Sequence, residues 1–225
     1  MDSNSNQRAI IFDAIRMSGY GGDKDEERIR REAADLLSDT EDARPPLLAD
    51  DLVEAFTRRF ENDRVVGTTC VQLEGIHDLP GAVRRYLEQH GLPAAIKVQP
   101  CRELLNADWT DFDTDVDVER NDTVAVGWAE YGIAETGSVV VHSSATMPVL
   151  LNFLPLHLIL VVPRSKIMAF LDDYAAVAEH LARETETPRN MCLLTGASGT
   201  TDIEGVLVKG AHGPKFLHVV VLMQV

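Results

Sequence analysis

The sequence predicts an α/β fold: a mainly parallel sheet flanked by helices, with a helical segment ahead of it. Seven runs have strand composition, namely Arg64–Val71, Ala94–Val98, Thr123–Trp128, Gly137–His142, Leu156–Val162, Met191–Thr195 and Leu217–Leu222. The helical pattern Leu79–Gln89 joins the first two as a strand–helix–strand unit, a connection that favours parallel strands. The last stretch, Met191 to Val225, reads as a buried strand, a Gly/Ser/Thr turn, a helix start, a glycine turn and a final buried strand. α/β proteins present backbone amides to anions in this way.

Taken in order, the chain opens with Ile10, Ile11, Ala14 and Ile15 at helical spacing over Gln7–Met17, ended by Gly19, Gly21 and Gly22. A second helix, Asp25–Leu37, is rich in Glu and Arg and mostly solvated. Pro45 and Pro46 separate it from a third, Asp50–Phe60, whose Leu52, Val53, Ala55, Phe56 and Phe60 form one apolar face. Residues 1–62 are too thin to fold alone and are expected to pack on an α/β domain at 63–225. Asp108–Asp122 is densely acidic but lacks the spacing and turn glycine of a calcium loop, so a solvated loop is favoured over a hard-metal site. Pro163 closes the Leu156–Val162 run, and Arg164–Glu184 reads as one long amphipathic helix.

With 225 residues and 45% hydrophobic content, the chain can bury a sizeable core. Its 36 acids against 21 bases give a net charge of −15, which disfavours nucleic acid and anionic membrane surfaces as partners. Cys70, Cys101 and Cys192 are far apart and show no metal-knuckle or cluster spacing, so reduced thiols and a cytoplasmic location are expected. No secretory signal pattern opens the sequence. The longest apolar run, Val149–Val162, contains Asn152, Pro155 and His157 and falls short of the ~20 residues of a spanning helix, so no membrane insertion is expected.

Three constellations carry candidate chemistry. Gly196, Ser198, Thr200, Thr201 and Asp202 lie in a loop between a strand and the expected helix start. Glycines there permit tight turns, hydroxyls donate hydrogen bonds, and a helix N-terminus adds positive potential, which suits a phosphate or carboxylate. An ordinary capped helix start has the same composition. Glu135, followed by Thr136 and Gly137 at the mouth of a strand, is a candidate acid, base or nucleophile, or else a turn glutamate bonded to local amides. Among the histidines, His157 sits in an apolar run, where a hydrogen-bonded core role is the commoner one. His212, with Gly213 and Lys215 in a turn, either completes an anion pocket or is exposed. No HxxH or CxxC metal spacing and no GxSxG elbow occur.

Glu135-Thr136-Gly137, Leu154-Pro155-Leu156-His157-Leu158, the Thr195–Glu204 loop and Gly210-Ala211-His212-Gly213-Pro214, in this order, resemble the lactate-utilisation protein C family, the LUD domain. The resemblance runs from about Asp122 to the C-terminus. It implies a fold like that of the sugar-phosphate isomerase and coenzyme A transferase group. It further implies an accessory role in bacterial oxidation of L-lactate to pyruvate, with iron–sulfur clusters carried by partner proteins and no cofactor in this chain. The family commonly has arginine where this sequence has Gly199, which removes a cation suited to a carboxylate or phosphate. Two other expectations stay open: a stand-alone enzyme on a sugar-phosphate, acyl-CoA or folate-like substrate, and a non-catalytic metabolite-sensing subunit.

Overall fold

A computed structural model describes residues 10–14, 17, 26–38, 44–61, 67–116, 123–184, 187–201 and 206–224. The chain divides into two compact units, Met1–Pro45 and Pro46–Val225. In the first, residues 10–14 are helical and α1 spans Glu26–Ser38. Two i,i+4 pairs, Arg30 with Glu26 and Arg28 with Glu32, run along the exposed surface of α1.

The larger unit begins with α2 (Leu52–Glu61), so the third helix of the N-terminal segment belongs to it. β1 (Thr68–Leu73), α3 (Leu79–Gln89), β2 (Ala95–Val98), the short α4 (Arg102–Leu105) and β3 (Asp113–Asp115) follow. Then come β4 (Val124–Trp128), β5 (Tyr131–Ile133), β6 (Ser138–His142), β7 (His157–Pro163) and β8 (Ile167–Met168). The chain continues through α5 (Leu171–Glu184), β9 (Met191–Leu194), β10 (Gly199–Thr201), β11 (Leu207–Lys209) and β12 (Phe216–Leu222).

A six-stranded sheet, order β1-β12-β7-β4-β2-β3, is parallel throughout. It is the expected mainly parallel core, flanked by helices. Its central strands are apolar at successive positions because both faces are covered. In β7, Ile159 and Val161 join Val83, Tyr86 and Leu87 of α3 in one cluster. Leu158, Leu160 and Val162 of the same strand turn to the opposite face, against Phe56 and Phe60 of α2. That second face also meets Val139, Val141 and Leu194 of a smaller four-stranded sheet, order β8-β5-β6-β9. α5 covers the outer side of the smaller sheet, where Tyr174 packs on Ile133 and Val140.

The strand–helix–strand unit itself holds, with β1 and β2 parallel in one sheet and β12, β7 and β4 between them. Several other expectations are corrected. Of Met191–Leu194 only Leu194 is buried, and the strand is not part of the parallel sheet; it is an edge strand antiparallel to β6. The long helix starts at Leu171, not Arg164, because Ile167 and Met168 are drawn into pairing with β5. Its first turn is then fixed by Asp173 Oδ2, which accepts the Phe170 N–H at 2.9 Å.

No helix begins at Thr200. Gly199, Thr200 and Thr201 pair antiparallel with Lys209, Val208 and Leu207, consistent with the strand preference of β-branched threonine. A strand thus stands where Thr200 was expected to cap a helix, and Asp202 lies outside the described residues. Of the acidic stretch, Asp113–Asp115 forms an edge strand, with Asp115 2.7 Å from Lys97 and Asp111 2.9 Å from Arg84. Among the described residues no group of three His, Cys, Asp or Glu could hold a metal ion, and no helix is long and apolar enough to cross a membrane.

Candidate functional site

At the start of β1 a cleft of about 250 Å³ is lined by Arg59, Phe60, Thr68, Thr136, Gly137, Thr195, Gly196 and Ala197. Three elements converge there because of pairing already described. The antiparallel β6–β9 ladder brings the residue before Val139 beside the residue after Leu194, which joins the β5–β6 turn to the Thr195 turn. The apolar face of α2, buried against both sheets, carries its last turn over the same end.

A chain of hydroxyls holds the two turns together. Thr136 Oγ1 lies 2.6 Å from Ser138 Oγ, which lies 2.6 Å from Thr195 Oγ1. Ser138 is buried, whereas Thr195 is exposed and Thr136 half-buried. Thr68 Oγ1 accepts the Ala197 N–H at 2.8 Å, tying the second turn to β1. Gly196, at φ +100°, makes the bend that an L side chain would resist.

Arg59 supplies the cation. Among the described residues, half-buried Arg59 makes one long hydrogen bond, Nε to the Ala134 carbonyl at 3.5 Å, and pairs with no carboxylate. Gly137 adopts φ +71°, and a Cβ there would lie 2.6 Å from Arg59 Cβ. Glycine at 137 thus sets both the turn and the seat of the arginine stem. A guanidinium fork beside hydroxyl donors is the chemistry of a carboxylate or phosphate site.

Of the residues singled out in the sequence, Thr136, Gly137 and Gly196 line the cleft. Ser198 stands just behind it: its N–H donates to Pro214 O at 2.8 Å, and its carbonyl accepts the Gly210 N–H at 2.9 Å. Gly213 packs against Ser198, where an added Cβ would come within 3.2 Å of the serine's own. These contacts lock the 210–214 turn to the 196–198 turn. Thr200 and Thr201 belong to β10, paired with β11, His212 is exposed, and Lys215 places its Nζ 5.5 Å from the centre of the Phe216 ring; Thr200, His212 and Lys215 do not line the cleft.

Glu135 directs its carboxylate elsewhere. Its Oε2 accepts the Leu171 N–H at 2.8 Å, at the start of α5, and its own N–H donates to Ala169 O at 2.9 Å. The anion thus satisfies an orphan amide at the positive end of a helix. His157 is a core residue. It is 4% exposed, stacks on Phe216 at 4.4 Å and shares a 2.9 Å hydrogen bond with Tyr86 Oη. Burial, then the nearby charges of His90 and Lys215, push its pKa down to about 4.

Arg59, Phe60, Thr68, Ser138 and Thr195 complete the site without having been singled out. Arg59 lies 75 residues before Ala134 and in no local motif, so its only signal was a basic pair, Arg58-Arg59, ending an amphipathic helix. A larger hollow of about 780 Å³ runs from His142 to Arg189, but its serine hydroxyls are already engaged. Ser143 Oγ accepts the Asn190 N–H, and Ser144 Oγ accepts those of Thr146 and Met147.

The LUD domain family matches residues 118–222. The chain is similar to lactate utilization protein C of Geobacillus thermodenitrificans, 32% identical over 100 residues that cover 44% of this chain and 42% of the relative. The protein of the same name from Geobacillus kaustophilus is 28% identical over 157 residues, covering 61% and 65%. An uncharacterized protein, YkgG, of Escherichia coli is 37% identical over 95 residues, 40% of either chain. The matches thus span less than two thirds of these relatives' lengths. A crystal structure of a DUF162 family protein from Deinococcus radiodurans superposes with a TM-score of 0.57 at 21% identity, covering 79% of this chain and all of the other, which shows a shared fold. Both turns of the cleft fall within the matched segment while Arg59 and Thr68 fall before it, so the likeness to the LUD domain family rests on residues 118–222.

Proposed function

We propose that this chain is an accessory subunit of a bacterial L-lactate utilisation system, and that its cleft holds a small carboxylate or phosphate. The relatives named lactate utilization protein C support the process. The observation that carries the ligand class is Arg59, a guanidinium with no carboxylate partner among the described residues, set beside the linked hydroxyls of Thr136, Ser138 and Thr195. In this reading the ligand's anionic group accepts hydrogen bonds from the guanidinium and from the exposed Thr195 hydroxyl.

The described residues that line the cleft supply a guanidinium and hydroxyls, groups that bind and orient an anion, and binding and orientation are the part this reading gives to the chain. Oxidation of lactate releases two electrons, and we assign their carriers, iron–sulfur clusters, to partner proteins. Cys70, Cys101 and Cys192 of this chain lie on β1, before α4 and on β9, and are not joined in disulfides.

Affinity purification from the native cells grown on lactate tests the assignment. The expected result is co-purification of cluster-bearing proteins with lactate-dependent dye reduction that falls when this chain is depleted. Recovery of the chain alone, with lactate oxidation in the cell extract unaffected by its deletion, would refute the subunit role.

A further inference from the structure

β9 ends the smaller sheet, and its four residues, Met191-Cys192-Leu193-Leu194, carry no charge. By contrast β3, an edge of the large sheet, carries Asp113 and Asp115, the kind of charge that keeps edges from pairing. The register with β6 shows which backbone groups of β9 point outward. Val139 faces Leu194, Val140 faces Leu193, Val141 faces Cys192 and His142 faces Met191. One step further, the Ser143 N–H donates to Asn190 O at 2.9 Å. Hydrogen-bonded pairs alternate in an antiparallel ladder, so the next ones are Val141 with Cys192 and Val139 with Leu194. Met191 and Leu193 therefore turn their N–H and C=O groups away from β6. The same two residues leave their side chains 37% and 41% exposed.

We propose that this chain forms a two-fold dimer in which β9 pairs antiparallel with β9 of a second copy, joining the two four-stranded sheets. Only residues with outward backbone groups can pair, which sets Met191 opposite Leu193 of the second copy and Cys192 on the axis opposite its own equivalent. Centring the pair on Met191 or Leu193 instead would set one of them opposite a residue outside the strand. The chosen register is self-complementary, as a two-fold interface requires, and it covers all four exposed apolar side chains. Copies that each carry −15 can approach closely only through an uncharged surface such as this one.

The same register sets Arg189 of one copy opposite Thr195 of the other. Arg189 forms no ion pair among the described residues, and Thr195 lines the cleft. The second copy thereby brings a further guanidinium to the rim of each cleft; this consequence rests on the reading of the cleft as an anion site.

Sedimentation of the full chain tests the dimer. The wild type is expected at twice 24.8 kDa. Leu193→Pro is expected at the monomer mass with unchanged circular dichroism, since the N–H it removes serves no bond to β6. In a Cys70→Ser, Cys101→Ser background, diamide should join two Cys192 thiols as one disulfide, itself taking up the two electrons and two protons. Non-hydrogen-bonded partners have Cα atoms about 4.5 Å apart, within disulfide reach. Arg189→Ala and Leu193→Pro should both lower thermal stabilisation by L-lactate or phosphate, whereas Arg59→Gln should lower it without changing the mass. A wild-type monomer at tens of micromolar would overturn the proposal, as would a dimer that survives Leu193→Pro and forms no Cys192 disulfide. If neither anion stabilises the wild type, the cleft reading fails, and sedimentation still decides the dimer.

Discussion

At the scale of single residues, Gly137 and Glu135 show how much a turn can do besides chemistry. Gly137 combines a left-handed backbone with a built-Cβ distance of 2.6 Å to Arg59 Cβ. Gly137→Ala should therefore cost about 1–2 kcal/mol for the backbone alone, and also displace Arg59 and weaken anion binding. Urea unfolding and ligand titration of the one variant check both effects. Glu135→Ala removes the acceptor for the Leu171 N–H and should lower stability by about 1 kcal/mol, as loss of a helix cap does, while ligand affinity stays unchanged. A large loss of affinity with stability intact would return Glu135 to the binding machinery. Its position at a strand mouth was legible in the sequence. The direction of its carboxylate was not, because that depends on where α5 begins.

At the scale of elements, the buried parallel strands were the most legible, because β4, β7 and β12 are covered on both faces and so consist of long β-branched and leucine runs. α3 was read with its exact bounds, since the Leu79, Val83, Tyr86 and Leu87 face repeats at helical spacing. What escaped were elements whose state is decided by a distant partner. Ile167 and Met168 extend a helical pattern but pair with β5, and Thr200-Thr201, good capping residues, pair with β11. The packing of α3 on the sheet also sets a pH response. Tyr86 of α3 lies against His157 and His218, and His90 and Phe216 complete the cluster. Burial, reinforced by the charge of His90, pushes both His157 and His218 down to about 4. An unfolded imidazole titrates near 6.5. The unfolded chain thus binds more protons between these values, so stability is full above pH 6.5 and falls as pH drops toward 4. Urea midpoints at pH 7 and pH 5 should differ, and His157→Gln should reduce the difference. An unchanged pH dependence in that variant would remove His157 from the cause.

For the whole molecule, the cleft assembles a local cation inside a chain of net charge −15. Long-range repulsion then opposes entry of an anion, and short-range hydrogen bonds must outweigh it, so binding is expected to strengthen as salt screens the net charge. That dependence is opposite to the one a basic surface would give. Titrations at low and moderate salt check the sign. The loops that build the cleft were visible in the sequence as glycine and hydroxyl clusters. Their convergence was not, because it follows from a β6–β9 ladder that the sequence assigned to a single parallel sheet. Arg59 was hidden for the same reason: α2 reaches the cleft only by packing across two sheets.

Calorimetric titration of the wild type and Arg59→Gln with L-lactate, and with phosphate as a second anion, tests the central claim most directly. A hydrogen bond to a charged group is worth about 1.5–3 kcal/mol, so one of the two anions should bind the wild type and bind Arg59→Gln roughly 10- to 150-fold more weakly, with unchanged folding. Equal affinity in the two proteins, or no binding of either anion by the wild type, would contradict the account.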